Sequence, residues 1–594
     1  MNEEPKSIWK KRLGGKWLGS LLLALASGAI FIIIGAMAGV LPVGALLAGA
    51  CVVVVLVLWP LIAFIRWLFS RGWRQVLFRF ACFATLIALF YAEENWRGKR
   101  AWENYKHEWG AKGEKFDFKD FVPPPVPDNQ NFALTPIMFT SYRALLNRDG
   151  TVVPMEQRLI NLKDTNFVAE CSRLNFDLGE GAWKTNATGY WVKGTVSNLK
   201  LWQDWYRALA ATTNLFAVPT QPQSPAADVL LALSKFDSTV AEMQQASHLP
   251  ECRFPLNYDS ENPWNIFLPH LSVMKSSARL LQVRAIAELE NGESEKALAD
   301  VKLSLRLVSG IRQEPFLITQ LVRYAMAEII LQTIYEGLAA HRWTDAQLGS
   351  LDAELAQLDF LADYQASLRG ERGVVCWTID WIGKKKSHQR YRELLGEMQG
   401  NLGVTTDAQL IATAKLVGIS LMPTGWFDQN KLFAARGEQG WITGIVSPAA
   451  HLAEPQKYRE VDESQSELFN GAGRPWNFLA KEFFPALGAM AKKSAREQIS
   501  VDLARTAIAL ERYRLARGEF PESLDALAPL FIAQVPHDVI GGQPLKYRHT
   551  RDGQFVLYSI GWNEKDDGGV MVAPKGGFVP RFEEGDWVWR YPQK

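Results

Sequence analysis

The sequence predicts an α+β protein carried on an N-terminal membrane sector. Three observations predict it. A run without a charged side chain extends from Trp17 to Ile65. Helical periodicity governs residues 226–380. Short apolar stretches separated by turn residues occupy 128–225 and recur near the C-terminus. With 594 residues, the chain has room for several domains at roughly 150 residues each. Charged residues make up 22% and hydrophobic residues 48%, a balance that argues against long disorder. The net charge of +2 gives no electrostatic case for a nucleic-acid partner.

The run from Trp17 to Ile65 is too long for one crossing at about 20 residues and long enough for two. Leu41-Pro42 is the natural break, because proline cannot continue helical hydrogen bonding. Spans are expected at about 17–40 and 43–65, and Gly35–Gly39 has the small-xxx-small form of close helix contacts. The basic N-terminus, 1–16, contains Lys6, Lys10, Lys11, Arg12 and Lys16, and Arg66, Arg71, Arg74 and Arg79 follow the second span. The positive-inside rule puts both flanks in the cytoplasm. A third span is expected at about 75–92, where Phe83, Leu86, Ile87, Leu89 and Phe90 leave almost no polar face. An interfacial amphipathic helix is the other reading of that segment. Three spans make the C-terminal bulk extracytoplasmic and two make it cytoplasmic. The chain is thus expected in an inner (cytoplasmic) membrane, multi-pass, with the lipid bilayer as one partner.

Residues 93–127 read as a juxtamembrane helix with tryptophans near the interface, followed by a stiff spacer at Pro123–Pro127. Residues 128–225 read as a mixed, β-rich domain, with strands at Phe167–Leu178 and Tyr190–Val196. Its aromatic residues, Trp183, Tyr190, Trp191, Trp202, Trp205 and Tyr206, suit a core more often than a sugar platform. Asn186-Ala-Thr188 has the form of a glycosylation acceptor.

Residues 226–380 read as a domain of helical hairpins. A stripe from Val229 to Met243 is followed by a helix from His270 that Gly292 ends, and by another from Ser294 to Gly310. Residues 287–298 resemble one partial unit of a tetratricopeptide repeat, without the 34-residue recurrence of an array. Phe316–Ala340 is apolar nearly all round and should be buried. Arg323 and Glu328 interrupt it and are candidates to pair, although a spacing of five is poor for one helix face. Thr344-Asp-Ala-Gln347 has capping-box form. Residues 381–490 look irregular, an expected set of loops wrapped on the hairpins that includes the basic run Lys384–Lys386.

The last segment, 491–594, has the sharpest pattern. Ala495–Ala516 is an expected helix closed by Gly518, with Leu503, Ala507, Leu510 and Tyr513 inward. A short helix over Pro521–Leu527, a strand entry over Val535–Tyr547 and a hairpin turn at Arg551–Gln554 follow. Ala509, Leu510, Tyr513, Leu515, Gly518 and Pro521, then Pro536, Asp538, Gly541 or Gly542, Pro544 and Tyr547, resemble the C-terminal half of type II secretion major pseudopilins. Ser559-Ile-Gly561 and Asp566–Gly569 resemble that family's closing segment. The resemblance covers about 100 residues and implies a long helix with a small antiparallel sheet. The chain lacks the family's prepilin-peptidase motif, so filament assembly is not implied. Members hold calcium in a late acidic loop, and the equivalents here are Asn563, Asp566 and Asp567, whose oxygens suit that ion. The chain from the middle helices onward also resembles large membrane proteins of planctomycete or verrucomicrobial type, a likeness that carries no activity.

Reactive motifs are sparse. The eight histidines form no HExxH, and there is neither a GxSxG elbow nor a P-loop. Ser197–Lys200 and Ser272–Lys275 match Ser-x-x-Lys, but its companion motifs are missing. His537 and Asp538 adjoin at the strand-entry turn. The five cysteines contain no CxxC, and Cys171 and Cys252 either pair or stay free. No catalytic or cofactor set is assigned beyond the calcium loop. The expected role is non-enzymatic: a membrane-anchored extracytoplasmic interaction or scaffold protein, linked to secretion or to the bacterial envelope, with a protein partner. The alternative is a membrane-tethered envelope hydrolase whose site converges only in the fold.

Overall fold

The computed structural model describes residues 73–174, 176, 178, 187–263, 266–384, 389–393, 415–470, 474–483, 487–572 and 582–592. The basic N-terminus, the expected spans 17–40 and 43–65, the turn at 179–181, Asn186 and Lys385-Lys386 lie outside them. The chain divides into two compact units, Met1–Glu94 and Asn95–Lys594. Helices of nine or more residues are numbered below.

Helix α1, Trp73–Gly110, contains the expected third span. It is the one described helix that is long and apolar enough to cross a membrane, and its apolar window is not buried among the described residues. Phe78, Phe80, Leu86, Leu89 and Phe90 are all exposed there, as an apolar segment requires if lipid is to cover it.

In the unit that begins at Asn95, the rest of α1 meets α10, Thr424–Gly444. A Cβ at Gly98 would lie 2.0 Å from the Gly425 carbonyl oxygen. Gly425 N donates to Asn95 Oδ1 at 2.9 Å. Trp102 and Tyr105 then pack with Phe116, Cys376, Leu432 and Ala435. Trp102, expected at a membrane interface, is a core residue, because α10 covers the face that carries it.

The hairpins form where the periodicity places them. Helix α2 is Leu199–Ala210, α3 Pro225–Leu233 and α4 Asp237–Ala246. Helix α5, His270–Glu290, turns through Gly292 at φ +80 into α6, Ser294–Gly310. Helix α7, Leu317–Ala339, lies against both. Helix α8, Asp345–Leu355, begins with the full capping box of Thr344 and Gln347. Helix α9 is Phe360–Gly383.

Three expectations are corrected. The first is the β-rich reading of 128–225. Thr165–Cys171 is helical because Asp164 caps it, its side chain accepting from Asn166 N and Phe167 N. Tyr190–Val196 contains a 3-10 turn ended by Gly194 at φ +67, and Thr195 Oγ1 accepts from Tyr190 N. The β-branched and aromatic residues that suggested strands were outweighed by these local bonds. Among the described residues of this stretch, β-structure amounts to isolated bridges.

The second correction concerns 381–490, which holds two long helices, α10 and α11, Pro455–Asn470. Glycines there look like breakers but serve close packing: a Cβ at Gly440 would meet Val461 of α11 at 3.3 Å.

The third concerns Arg323 and Glu328, which do not pair with each other. Five residues turn them about 140° apart on a helix. Arg323 reaches Asp363 of α9 at 2.8 Å, while Glu328 reaches Arg496 at 2.5 Å.

Helix α12, Leu487–Arg517, lies against α7, α8 and α9 and against two strands of the C-terminal sheet. That sheet is antiparallel in the order β3 (Lys546–His549), β4 (Phe555–Ser559), β5 (Trp587–Arg590). A smaller antiparallel pair, β1 (Val446–Ser447) and β2 (Leu452–Ala453), joins Ala453 to Ile540. Trp589 of β5 packs on Trp191 and Tyr335 at 5.1 and 5.4 Å between ring centres. One contiguous set of buried side chains runs from Phe118 to Tyr591. The boundaries expected at 225, 380 and 490 therefore do not separate cores.

Gly98→Ala forces the α1–α10 contact apart, since a backbone oxygen cannot yield as a flexible side chain can. The expected cost is about 1–3 kcal/mol, read as a lower denaturation midpoint of the full chain in detergent.

Candidate functional site

The residues that carry the C-terminal pattern meet one another in space. Tyr547 Oη donates to Pro521 O at 2.7 Å. Asp538 accepts from Ile540 N, Ser559 Oγ and Ile560 N at 2.9, 2.8 and 3.0 Å. Burial pushes its pKa up to about 6 against those three bonds. Gly518 ends α12 at φ +90, and Gly561, at φ +68, approaches Gly585 too closely for a side chain. These positions staple the helix to the sheet, and the pattern needs no chemistry to explain it.

The acidic loop is bonded within itself. Asn563 Nδ2 donates to Asp567 Oδ2 at 2.9 Å. Asp566 Oδ1 accepts from Gly568 N at 3.1 Å and from Tyr558 Oη at 3.0 Å, and these bonds hold its pKa below the usual value. Lys546 lies 3.5 Å from Asp566. Among the described residues no group of three His, Cys, Asp or Glu is arranged to hold a metal ion. Cys171 and Cys252 are both free thiols, and burial pushes Cys252 up to about 12.

Neither Ser-x-x-Lys match joins its serine to its lysine. Lys200 bonds Asp204, whereas Ser197 Oγ donates to Glu336 at 2.7 Å. Ser272 Oγ donates to Pro269 O at 3.1 Å. His537 Nε2 meets the carbonyl of His451 at 3.2 Å. His451 in turn holds Asp502 of α12 at 2.8 Å through Nε2. Its own backbone sits at φ +53 in the β1–β2 turn, and the hydrogen bond to Asp502 raises its pKa.

A cavity of about 760 Å³ lies wholly within Asn95–Lys594 and is walled by three helices. Each presents one face at helical spacing: Lys99, Trp102, Glu103 and Lys106 from α1, Gly373, Cys376, Trp377 and Asp380 from α9, and Thr424, Phe427, Asp428 and Lys431 from α10. Asp117, Lys119, Asp259 and Glu261 add charge from two loops. Lys431 is buried between Asp380 at 2.6 Å and Asp428 at 3.0 Å. Burial alone would lower its pKa, but the two carboxylates outweigh it and raise it. Lys99 and Lys119 make no ion pair among the described residues. Burial pushes Cys376 up to about 12, so its thiol stays protonated at neutral pH. Ser260 Oγ donates to Asn262 O at 2.9 Å. The cavity thus offers paired charges of both signs and aromatic walls, and its one described thiol is protonated at neutral pH. Sequence reasoning missed it, although the i, i+3, i+4, i+7 spacing of charged and aromatic residues in α1 was a usable signal.

Comparison with family models, with curated proteins and with solved structures gave no match.

Asp538→Asn leaves one of the three donors on Asp538 facing an amide –NH₂. The expected loss is about 1–3 kcal/mol, measured by denaturation of the full chain. A second expectation concerns pH. The folded pKa of His451 lies above its usual 6.5, so its bond to Asp502 contributes fully below that pH. The contribution fades as pH rises through the folded value. The stability difference between wild type and His451→Gln should therefore shrink between pH 6 and a more alkaline pH, and a constant difference would contradict this account.

Proposed function

We propose that the chain is a non-enzymatic, membrane-anchored interaction protein of a bacterial envelope, multi-pass, with a cytoplasmic N-terminus and an extracytoplasmic body. Its docking site is the cavity of α1, α9 and α10, and its partner is a polypeptide segment bearing both charge signs. The cavity carries this reading. Its lysines and carboxylates suit mixed charge, its rings suit apolar side chains, and its buried thiol stays protonated. The uncharged run Trp17–Ile65 between basic flanks, and the apolar first part of α1, support the anchor. The pseudopilin-like order of α12 and the sheet supports a secretion-linked setting, with the module serving as a fused structural end.

The test uses the full chain in its native membrane with p-benzoylphenylalanine placed at Lys99 or Lys119, and at exposed Leu530 as control. Photo-crosslinking is expected to yield one discrete adduct from both cavity positions and none from Leu530. No adduct from the cavity positions, together with turnover in an envelope-substrate screen, would favour the membrane-tethered hydrolase and sink this reading. A reporter fused after Lys594 tests the side of the membrane: phosphatase activity is expected, and fluorescence of a cytoplasm-only reporter overturns it.

A further inference from the structure

A second cleft, of about 620 Å³, opens between α2, α3, α5 and the end of α7. Glu336 of α7 lines it and is only 8% exposed. Its Oε1 accepts three hydrogen bonds, from Ser197 N at 3.0 Å, Ser197 Oγ at 2.7 Å and Gln332 Nε2 at 2.6 Å. Its Oε2 makes no hydrogen bond yet is not sealed from solvent, so this is the oxygen open to the cleft.

The charges around Glu336 are otherwise settled. Lys200, from α2, bonds Asp204. Arg342, beyond α7, lies 3.6 Å from Glu290 at the end of α5. The neighbouring Tyr335 donates to Arg590 O at 3.0 Å. Neither α3 nor Pro592 brings a titratable group to the cleft. Glu336 therefore has no cation within ion-pair reach among the described residues. The cleft walls beside it are apolar: Ile286, Leu289, Ala339, Pro225 and Ala226. A buried carboxylate without a counter-ion is costly, and a ligand that supplies the missing charge recovers that cost.

We propose that this cleft binds an aliphatic primary ammonium group, whose N–H donates to Glu336 Oε2 while its hydrocarbon chain lies on Ile286, Leu289 and Ala339. A free alkylamine and a lysine-like side chain share that chemistry. The pre-set hydrogen bonds on Oε1 fix the carboxylate, so the ligand meets an oriented acceptor. Burial, opposed by the bonds from Gln332 and Ser197, pushes the pKa of Glu336 up to about 7. The empty cleft is then partly protonated at neutral pH, and ammonium binding displaces the proton. Affinity should rise with pH until the carboxyl is fully ionised.

The experiment titrates the full chain in phosphatidylcholine nanodiscs with n-butylammonium and with Nα-acetyl-lysine amide, using 1-butanol as the neutral control. Calorimetry at pH 8 is expected to show saturable binding of at least one ammonium probe and none of butanol. Tighter binding of the lysine amide indicates a protein or peptide source; tighter binding of butylammonium indicates a free amine. Affinity should fall about tenfold or more at pH 5. Glu336→Gln can still accept the three bonds on Oε1, and should bind at least tenfold more weakly at pH 8. Ala340→Trp, which fills the exposed rim and leaves Glu336 intact, should also lose binding while keeping the wild-type thermal midpoint. Equal binding of butanol, unchanged affinity in Glu336→Gln, or no binding of either ammonium probe overturns the proposal.

Discussion

A helix buried along most of its length must find a partner for every polar side chain it carries. Helix α12 is that helix, and the rest of the Asn95–Lys594 unit meets most of its demands, Glu497 Oε2 being a buried oxygen left without a hydrogen bond among the described residues. Ser494 Oγ donates to Phe360 O at 2.6 Å, and Gln498 Oε1 accepts from Phe360 N at 2.8 Å. Arg496 takes Glu328 of α7, Arg505 takes Asp352 of α8 at 2.8 Å, and Asp502 takes His451 of the β1–β2 turn. Farther along, Glu511 holds His341 at 2.9 Å and Arg514 at 2.8 Å. Apart from the Glu511–Arg514 pair within α12, these bonds hold the start of α9, α7, α8, the β1–β2 turn and His341 against one rod, and α12 also lies against two strands of the C-terminal sheet.

The same logic recurs where the chain leaves α1. Arg372 is fully buried and gives Nη2 to Glu114 at 2.6 Å, while Arg369 reaches the same carboxylate at 3.0 Å. Burial pulls Glu114 up, but the two guanidiniums outweigh it and hold its pKa below the usual value. Breaking a buried pair on one side leaves an unpaired charge, which typically costs about 3–5 kcal/mol. Such pairs add little net stability over an apolar core. Their effect is to penalise every arrangement in which the partners are apart. The cavity of α1, α9 and α10 sits beside this ion pair, so its walls are held by contacts that a ligand need not form.

What the sequence made legible was local. The capping box at Thr344, the glycine stop at Gly292, the boundaries of α5, α6 and α7 and the C-terminal end of α12 follow from residues within a few positions of each other, whereas α12 begins at Leu487, eight residues before the expected Ala495. The glycines at 440 and 488 were misleading for the opposite reason, because their role depends on Val461 and Tyr458 packing against them from another helix. Asp164 caps the helix Thr165–Cys171, whereas the β-branched and aromatic run after it suggested a strand. At the candidate sites, Lys99, Trp102, Glu103 and Lys106 already stood at one-face spacing in the sequence. Nothing in the sequence joined that face to Asp380 or Lys431, more than 270 positions away.

The sequence by itself determined that an apolar N-terminal sector precedes a body with helical hairpins over 226–380, and that a long helix with a small antiparallel sheet follows them. Those features rest on composition, periodicity and caps, which act over a few residues. Only the tertiary structure decided that the hairpins and the C-terminal module share one core, that Arg323 and Glu328 seek different partners, and that Ser197 meets Glu336 instead of Lys200. Each of those outcomes is a contact between distant segments, and its energy depends on burial and counter-charges that exist only once the chain is packed.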